Sequence, residues 1–532
     1  MKRLVIITLI LFAATAYITV KYFKNLNLSG THAGSVMRTI PGNAALVFEF
    51  TNEKSFYDIF TGNNQLNSLI GEQRVTELDT VRKAFLNNNA IASFFTGTNV
   101  YLSLHPSNSN DVQLLLTSSA AKDFDAAGFD KLSKQSKTGM VITPLKIADK
   151  KGYTIYFQSL KKRFYLLGNE ENIFSGSFSK DLIAQYANYK PDKNKQSFLL
   201  LPDQQNSSSL ANIYINYEQL NPLFAQLFKN QNTDIFKSFR LLPALAALNL
   251  NYKTDAIMFN GYTNIQTSQK QTYLSIFTNQ QPVINHLKEI FPSTTAYALT
   301  LAVSDPALFS SDLASFHLRA GLKTEKEQLF SKVKAETGMN INTEFAHSLG
   351  NEFAVVNTRY QERLAIISVK DGSKLKPLMT NISGMISDDI GQFNYTKLPY
   401  FLLGDAFSGF RKPYFRIIDN YLILANSIRE LETYYDTYIN RKFLNKTDTY
   451  NSFDNLLAER CNVAFFIHFK NAQQILKNEL KPGFYDAYKN DSLTWKNFYA
   501  ASYQLTATDK NFYTNFCMQQ SPVDTVANKK SN

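Results

Sequence analysis

The sequence predicts an α+β protein with two tandem, distantly similar domains of mainly antiparallel sheet with packed helices, after one N-terminal transmembrane helix. Three observations lead to this prediction. An uncharged run occupies residues 4–20. Beyond it, short segments in which apolar residues alternate, as in strands, are interspersed with segments of helical apolar spacing. The order of these segments starts at Ile40 and begins again at Phe291.

Length and composition indicate a folded chain of more than one domain. With 532 residues the chain exceeds the usual size of one hydrophobic core. Its 44% hydrophobic and 19% charged residues are typical of folded proteins, not of disordered ones. The formal charge of +12 comes from scattered lysines and arginines. Their densest run in the folded part, Lys161-Lys162-Arg163, lies between two apolar runs and is interpreted as a solvated turn.

The N-terminus carries the strongest functional signal. Met1-Lys2-Arg3 precedes the uncharged run, and Lys21 and Lys24 follow it, a pattern typical of a signal anchor or a signal peptide. The run is long enough to cross a bilayer, which favours an anchor helix over residues 1–24. Ala14-Thr15-Ala16 offers a cleavage site and keeps a cleaved signal open. A buried core helix is disfavoured because the run has no polar face.

The charge pattern also predicts the orientation in the membrane. Basic residues before the apolar run favour an N-terminus that stays in the cytoplasm. We therefore expect a single-pass protein of the cytoplasmic membrane whose C-terminal bulk is periplasmic or otherwise extracytoplasmic.

The first domain is expected over residues 40–290, after a flexible stalk at 25–39 that is rich in Asn, Ser, Gly and Thr. Alternating apolar residues predict strands at 44–50, 100–104, 112–117, 153–160, 164–168, 212–217, 256–263 and 271–278. Helical spacing predicts helices at 54–60, 65–70, 75–86, 123–135, 179–189 and 283–290.

Proline guides two local predictions in this domain. Asn221 suits a helix cap and Pro222 the first helical position, so a helix is expected to begin there. Residues 241–248 are apolar but contain Pro243, which predicts a core helix or a turn.

The second domain is expected over residues 291–520, with a loose tail at 521–532. Strands are predicted at 296–303, 352–357, 363–369, 414–418, 421–425, 465–469, 498–506 and 512–518, and helices between 306 and 349 and at 375–385. Residues 164–169 align on 421–426, and residues 213–217 align on 465–469. The spacing of these matches indicates a duplication with a period of roughly 250 residues.

No motif for phosphate binding is complete. Residues 168–180 contain Gly176 and Lys180 after a strand but lack the full glycine-rich lysine motif. The aligned turn in the second domain has no glycine, whereas Ser427 and Glu430 stand at capping-box spacing. Both turns are therefore interpreted as helix starts.

The search for catalytic and metal-binding patterns predicts no catalytic, cofactor-binding or metal-ligating residue and no cofactor. The six histidines, which include His317 and His468, have no pair at metal-ligand spacing and are interpreted as structural or surface residues. The adjacent carboxylates Glu170-Glu171 and Asp388-Asp389 lie in predicted loops. Cys461 and Cys517 fall in predicted strands, and both one disulfide and two buried thiols stay open.

The opening segments Ile40-Pro41-Gly42-Asn43-Ala44-Ala45 and Phe291-Pro292, with the turns at Gly168-Asn169 and Ala425-Asn426, carry a resemblance to a known family. The chain resembles uncharacterised, single-span, membrane-anchored bacterial envelope proteins that have a domain of unknown function and duplicated α+β units. The resemblance covers about residues 40–520. It implies an envelope location and a repeated fold, and it implies no activity and no functional residue.

These observations favour a non-enzymatic, membrane-anchored envelope protein that serves as a scaffold or interaction module, without settling whether the protein is an enzyme. The alternative is an exported hydrolase or ligand-binding protein with a site in a cleft between the two domains. The expected partners are the membrane, through the N-terminal helix, and an envelope protein. Nucleic acid is not an expected partner because no basic aromatic stripe is present, and no small-molecule ligand is identifiable.

Overall fold

The computed structural model describes residues 36–61, 71–89, 91–106, 112–120, 139–148, 150–169, 171–190, 209–229, 237–266, 272–489 and 494–522. These residues form antiparallel sheet with packed helices, so the predicted α+β class is confirmed. The predicted anchor helix, the helices at 65–70 and 123–135 and the tail beyond residue 522 lie outside them. In this part of the chain, no helix has the length and apolar character needed to cross a membrane.

Two compact units make up the described chain. The first holds the described residues of Met1–Ile59 and Thr76–Ile215, and the second holds those of Phe60–Val75 and Asn216–Asn532. This division follows Ile215, whereas the sequence placed a domain boundary after residue 290. Residues 36–39, which the sequence assigned to the stalk, form a helical turn in which Val36 and Met37 are buried.

The first unit contains eight strands in its described part. They are β1 (Leu46–Thr51), β2 (Asn99–Pro106), β3 (Val112–Ser119), β4 (Met140–Ile147), β5 (Lys150–Phe157), β6 (Lys162–Gly168), β7 (Ile173–Ser177) and β8 (Ala211–Asn216). All neighbouring pairs are antiparallel, in the spatial order β8-β1-β2-β3-β7-β6-β5-β4. Lys161, in the predicted basic turn, has a positive φ of 51° between β5 and β6.

Helices α1 (Lys54–Thr61), α2 (Glu72–Val81) and α3 (Lys180–Asn188) accompany these strands, and a π-helical turn, Arg82–Leu86, follows α2. The start of α3 is determined locally, because the Ser179 side chain accepts a hydrogen bond from the Leu182 amide. Leu182, Ile183 and Tyr186 bury one face of α3 against the sheet. Each such buried side chain contributes roughly 1.5–3 kcal/mol.

The second unit contains a larger set of strands. They are β9 (Ala244–Tyr252), β10 (Ala256–Ile265), β11 (Val283–Ile284), β12 (Thr295–Ala302), β13 (Leu349–Thr358), β14 (Arg363–Val369), β15 (Ser383–Met385), β16 (Ile390–Phe393), β17 (Tyr414–Ile418), β18 (Tyr421–Ala425), β19 (Arg460–Cys461), β20 (Val463–His468), β21 (Phe498–Thr508) and β22 (Asn511–Gln520). Twelve of the described strands pair antiparallel in the order β9-β10-β22-β21-β20-β12-β13-β14-β18-β17-β16-β15. Strands β11 and β19 pair with each other.

The helices of the second unit are α4 (Tyr217–Leu227), α5 (Lys237–Arg240), α6 (Pro306–Arg319), α7 (Lys323–Thr337), α8 (Ile341–Ser348), α9 (Gly372–Asn381), α10 (Leu398–Leu403), α11 (Ile428–Ile439), α12 (Asp448–Asp454), α13 (Phe469–Glu479) and α14 (Pro482–Lys489). A buried apolar cluster that includes Ile366, Ile423 and Phe453 lies between sheet and helices. The predicted capping box at Ser427 and Glu430 is confirmed at the start of α11.

Of the two predicted closing strands of the first domain, the one at 256–263 is confirmed as part of β10. In the segment 241–248, expected as helix or turn, the residues from Ala244 onwards belong to β9, which pairs along its whole length with β10. The predicted strand at 271–278 is instead a 3-10 helix, Leu274–Asn279, whose apolar side chains are buried. Local apolar content is similar in the two segments, and long-range pairing with β10 decides which one is a strand.

Two helix predictions also need correction. Helix α4 begins at Tyr217, not at Pro222, because the Asn216 side chain accepts a hydrogen bond from the Glu218 amide and so caps it. Pro222 lies inside the helix. The predicted helix at 283–290 divides into β11 and a 3-10 helix, Leu287–Ile290.

The predicted alignment of residues 164–169 on 421–426 places β6 against β18. Strand β7 lies between β6 and α3, in a segment that was expected to be a loop. Strand β18, in contrast, leads directly into α11. The alignment of the two halves of the sequence missed β7 because this strand has only five residues, one of which is Gly176.

Candidate functional site

A pocket of about 540 Å³ lies over the helical hairpin of α6 and α7 in the second unit. The ends of the hairpin are encoded locally. Asp305 accepts hydrogen bonds from the amides of Ala307 and Leu308 at the start of α6, at 2.9 and 3.1 Å. Gly321, with a φ of 76°, lies in the turn between the two helices.

His317 and Lys326 lie in this pocket although nine positions separate them in the chain. They stand at equal distances from the turn at Gly321 and Leu322, and residues so placed face each other in an antiparallel helical hairpin. His317 is 0% exposed and Lys326 is 9% exposed. Two ionisable side chains are therefore buried side by side.

The imidazole of His317 packs against aromatic rings. Its ring centroid is 5.2 Å from those of Tyr400 and Phe401. Neither ring nitrogen has a partner among the described residues. Burial, and secondarily the charge of Lys326, lowers the pKa of His317 to about 3. The ring is therefore neutral near pH 7 and has one N–H donor and one acceptor unused.

Lys326 is a buried cation that lies against an aromatic ring. Its Nζ lies 5.2 Å from the centre of the Phe330 ring, a cation–π contact worth roughly 0.5–2 kcal/mol. No carboxylate forms an ion pair with it in the part of the chain that the structure describes. Burial lowers its pKa to about 8, so it is still mostly protonated near pH 7.

The rim of the pocket adds further donors. Lys323 lies 3.7 Å from Glu327, and Lys334 has no ion-pair partner among the described residues. Hydroxyl groups come from Ser311, Ser315 and Ser331, and the described lining contains no arginine. The pocket therefore combines ammonium groups, hydroxyls and one imidazole, an arrangement that can hold an anion.

In a second buried polar cluster, in the first unit, both carboxylate oxygens of Glu49 accept hydrogen bonds. Glu49 is 4% exposed on β1. Its Oε1 accepts hydrogen bonds from Tyr101 and Asn99 at 2.7 and 2.8 Å. Its Oε2 accepts from Tyr214 and Asn212 at 2.6 and 3.1 Å. With both oxygens occupied, this carboxylate links β1 to β2 and β8 and leaves no acceptor for a ligand.

The two cysteines are free, buried thiols, which settles the alternative that the sequence left open. Cys461 lies on β19 and Cys517 on β22. Burial raises the pKa of each thiol to about 12. The Cys461 Sγ accepts a hydrogen bond of 2.8 Å from Asn285. These thiols are inert packing groups and not nucleophiles.

The other residues considered from the sequence do not converge on a site. His468 caps α13 by accepting from the Asn471 amide, and the buried His105 contacts Asn43 and Ser103 at 2.8 Å. Asp389 pairs with Arg416 at 2.7 Å. No group of three or more metal-binding side chains occurs within the described ranges.

From the sequence, His317 was interpreted as a structural or surface histidine, and Lys326 was not identified as a candidate residue. The signal that could have found them is their symmetric placement around Gly321 between two helical segments, since neither residue belongs to a known motif. A comparison of the chain with protein-family models, curated proteins and solved structures finds no match in any of the three.

Proposed function

We propose that the chain is a non-enzymatic, membrane-anchored protein of the cell envelope that acts as a scaffold or interaction module on the outer face of the cytoplasmic membrane. The observation that carries this proposal is the N-terminal pattern, in which Lys2 and Arg3 precede the uncharged run at 4–20. A large α+β chain follows this run, as expected of an anchored extracytoplasmic part.

We also propose that this part consists of two related α+β repeats. The order β8-β1-β2-β3-β7-β6-β5-β4 of the first unit recurs in the second as β20-β12-β13-β14-β18-β17-β16-β15. In each set the first strand in the chain is second in this order, and its two neighbours are the last and the second strands of the set in the chain. An accidental match over eight strands is improbable, which supports a duplication.

Local details support the same relation. Asn216 and His468 each end a strand and cap a helix of 11 residues. Phe228 and Leu480 follow those helices and pair with each other. The reciprocal hydrogen bonds from Lys229 N to Glu479 O and from Lys481 N to Leu227 O measure 2.8 and 2.9 Å. The two segments therefore make equivalent contacts, as expected of related sequences.

The residues of the α6–α7 pocket favour a ligand-binding site over a catalytic site. Its cations and hydroxyls surround a neutral imidazole whose ring nitrogens hold no neighbouring hydroxyl or carboxylate among the described residues. A nucleophilic enzyme needs a base within hydrogen-bond reach of its nucleophile. A binding module needs only convergent donors on a rigid support, as α6 and α7 provide.

The membrane topology is tested by fusing alkaline phosphatase after residue 40. An active reporter is expected, because the enzyme folds only after export. The matched control deletes residues 4–20 from the same fusion and should be inactive. An inactive reporter on the intact segment would contradict the proposal. N-terminal sequencing of the membrane-bound protein then distinguishes an anchor, which begins at Met1, from a signal cleaved after Ala16.

The scaffold role is tested by crosslinking in intact cells and identifying the proteins attached to the full-length chain. At least one envelope protein should be recovered repeatedly. A chain whose residues 4–20 are deleted serves as the control for contacts made in the cytoplasm. Recovery of no specific partner in the envelope would argue against a scaffold.

A further inference from the structure

We propose that the α6–α7 pocket binds a phosphate monoester group carried on a partly apolar organic body. This site lies within the second unit, and the inference holds whether or not the chain is anchored or exported.

The charges of the pocket select an anion. Lys326 and Lys334 have no carboxylate partner in the described part of the chain, whereas Lys323 is offset by Glu327. The buried ammonium of Lys326 is costly without a counter-charge. An anion placed above it would supply that charge and would also accept the unused N–H of His317.

The kinds of donor favour a tetrahedral oxyanion over a carboxylate. Planar carboxylates are held best by the fork of an arginine, and the described lining contains none. Ammonium groups act as point charges that suit phosphate oxygens from several directions. Both helices of the hairpin add hydroxyl groups, from Ser311 and Ser315 on α6 and from Ser331 on α7. Donors in several directions suit an ion with three or four outward oxygens.

The volume and the apolar lining of the pocket favour a ligand larger than inorganic phosphate. Its volume of about 540 Å³ falls in the range of roughly 300–1,000 Å³ that is usual for small-molecule sites. Ala314, Leu318 and Phe330 form an apolar wall beside the polar donors. Leu318 is 56% exposed, so an organic group resting on it would remove apolar surface from water.

The protonation states at neutral pH suit this ligand. Lys326, with a pKa lowered to about 8, carries a charge on most molecules at pH 7. A bound dianion would raise that pKa, so binding takes up a fraction of a proton. His317 is neutral in the free pocket, and one of its ring nitrogens carries a hydrogen that can be donated.

The experiment is a calorimetric titration of phenyl phosphate into the full-length protein in detergent at pH 7. Saturable binding is expected. Lys326→Met keeps the side-chain length and removes the charge, and it should weaken the affinity at least tenfold. His317→Phe preserves the packing against Tyr400 and Phe401 and should weaken it by a smaller factor.

The matched control is Lys332→Met, which removes an exposed lysine of α7 that lies outside the pocket and should leave the affinity unchanged. Circular dichroism of each variant establishes that the fold is retained. Equal affinity in the wild type, Lys326→Met and His317→Phe would overturn the site, as would the absence of saturable binding up to about 10 mM.

Two further ligands test the chemical class. Inorganic phosphate should compete for the same site with lower affinity, because it leaves the apolar wall uncovered. Benzoate, a carboxylate on the same ring, should bind far more weakly than phenyl phosphate. Benzoate binding as tightly as phenyl phosphate would overturn the assignment to phosphate esters.

Discussion

The Glu49 cluster illustrates how neutral hydrogen-bond donors hold a buried carboxyl group. Tyrosine hydroxyls and asparagine amides on β2 and β8 supply four neutral donors to one carboxylate on β1. Hydrogen bonds to an ionised acceptor are stronger than neutral ones. Burial, followed by the charge of Glu49, raises the pKa of both Tyr101 and Tyr214, so both tyrosines remain donors at every pH at which the fold is studied.

At the residue scale, Tyr101→Phe should destabilise the protein by about 1.5–3 kcal/mol. The substitution removes one donor from the buried Glu49 carboxylate and leaves the ring in place. The free energy of unfolding is measured by urea denaturation followed through a signal from the first unit.

The control is Tyr156→Phe, which changes an exposed tyrosine on β5 and should alter the free energy of unfolding by less than about 0.5 kcal/mol. Equal effects of the two substitutions would show that Glu49 does not depend on the Tyr101 hydroxyl.

At the scale of elements, two helices end at glycines with positive φ for different reasons. Gly338 ends α7 with a φ of 75° and has open space around the position of a Cβ. Gly404 ends α10 with a φ of 91° and a ψ of −163°, a region that only glycine readily adopts. A Cβ at Gly404 would also overlap the ring of Tyr273, which is fully buried beside it.

These contacts predict different costs for the same substitution. Gly338→Ala should destabilise the second unit by about 1–2 kcal/mol, through backbone strain alone. Gly404→Ala should cost at least about 1 kcal/mol more, because it adds overlap in the core. Urea denaturation of both variants measures the difference. A Gly404→Ala variant as stable as Gly338→Ala would show that the Tyr273 contact is not tight.

At the scale of the whole molecule, the three histidines His105, His317 and His468 link stability to pH. Burial lowers their pKa values to about 3, 3 and 4. The unfolded chain therefore binds more protons than the folded one below the ordinary histidine pKa of about 6.5. Stability is complete above that pH and falls as the pH falls below it.

The substitution His317→Phe should reduce the loss of stability at low pH. Because burial lowers the pKa of His317 from about 6.5 to about 3, this histidine lowers the free energy of unfolding by about 2 kcal/mol between pH 7 and pH 5. Among the described residues, Lys326 is the charged group that acts on the pKa of His317, Lys323, Glu327 and Lys334 also line the pocket, and α10 contributes the aromatic rings of Tyr400 and Phe401. The measurement is the urea midpoint at pH 7 and at pH 5.

The exposed His347 provides the control for this measurement, because His347→Gln should leave the difference between the two pH values unchanged. If His317→Phe loses as much stability between pH 7 and pH 5 as the wild type does, the neutral state of His317 contributes nothing to acid sensitivity.

Much of the secondary structure could be predicted from local pattern. The segments at 296–303, 363–369 and 421–425 are short, nearly continuous apolar runs, which is typical of buried strands, and they agree with β12, β14 and β18. The errors fall where local pattern is ambiguous. Residues 241–248 are rich in alanine and leucine and contain a proline, so nothing nearby shows that β10 recruits them as β9.

The sequence by itself determined the α+β class, most strands and the helix starts at Ser179 and Ser427, because alternation and capping depend on residues within a few positions. Only the tertiary structure decided that four donors from β2 and β8 surround Glu49 and that His317 lies unpaired beside Lys326. Strand partners and desolvation are set by residues far apart in the chain, which is why the pocket carries no sequence motif.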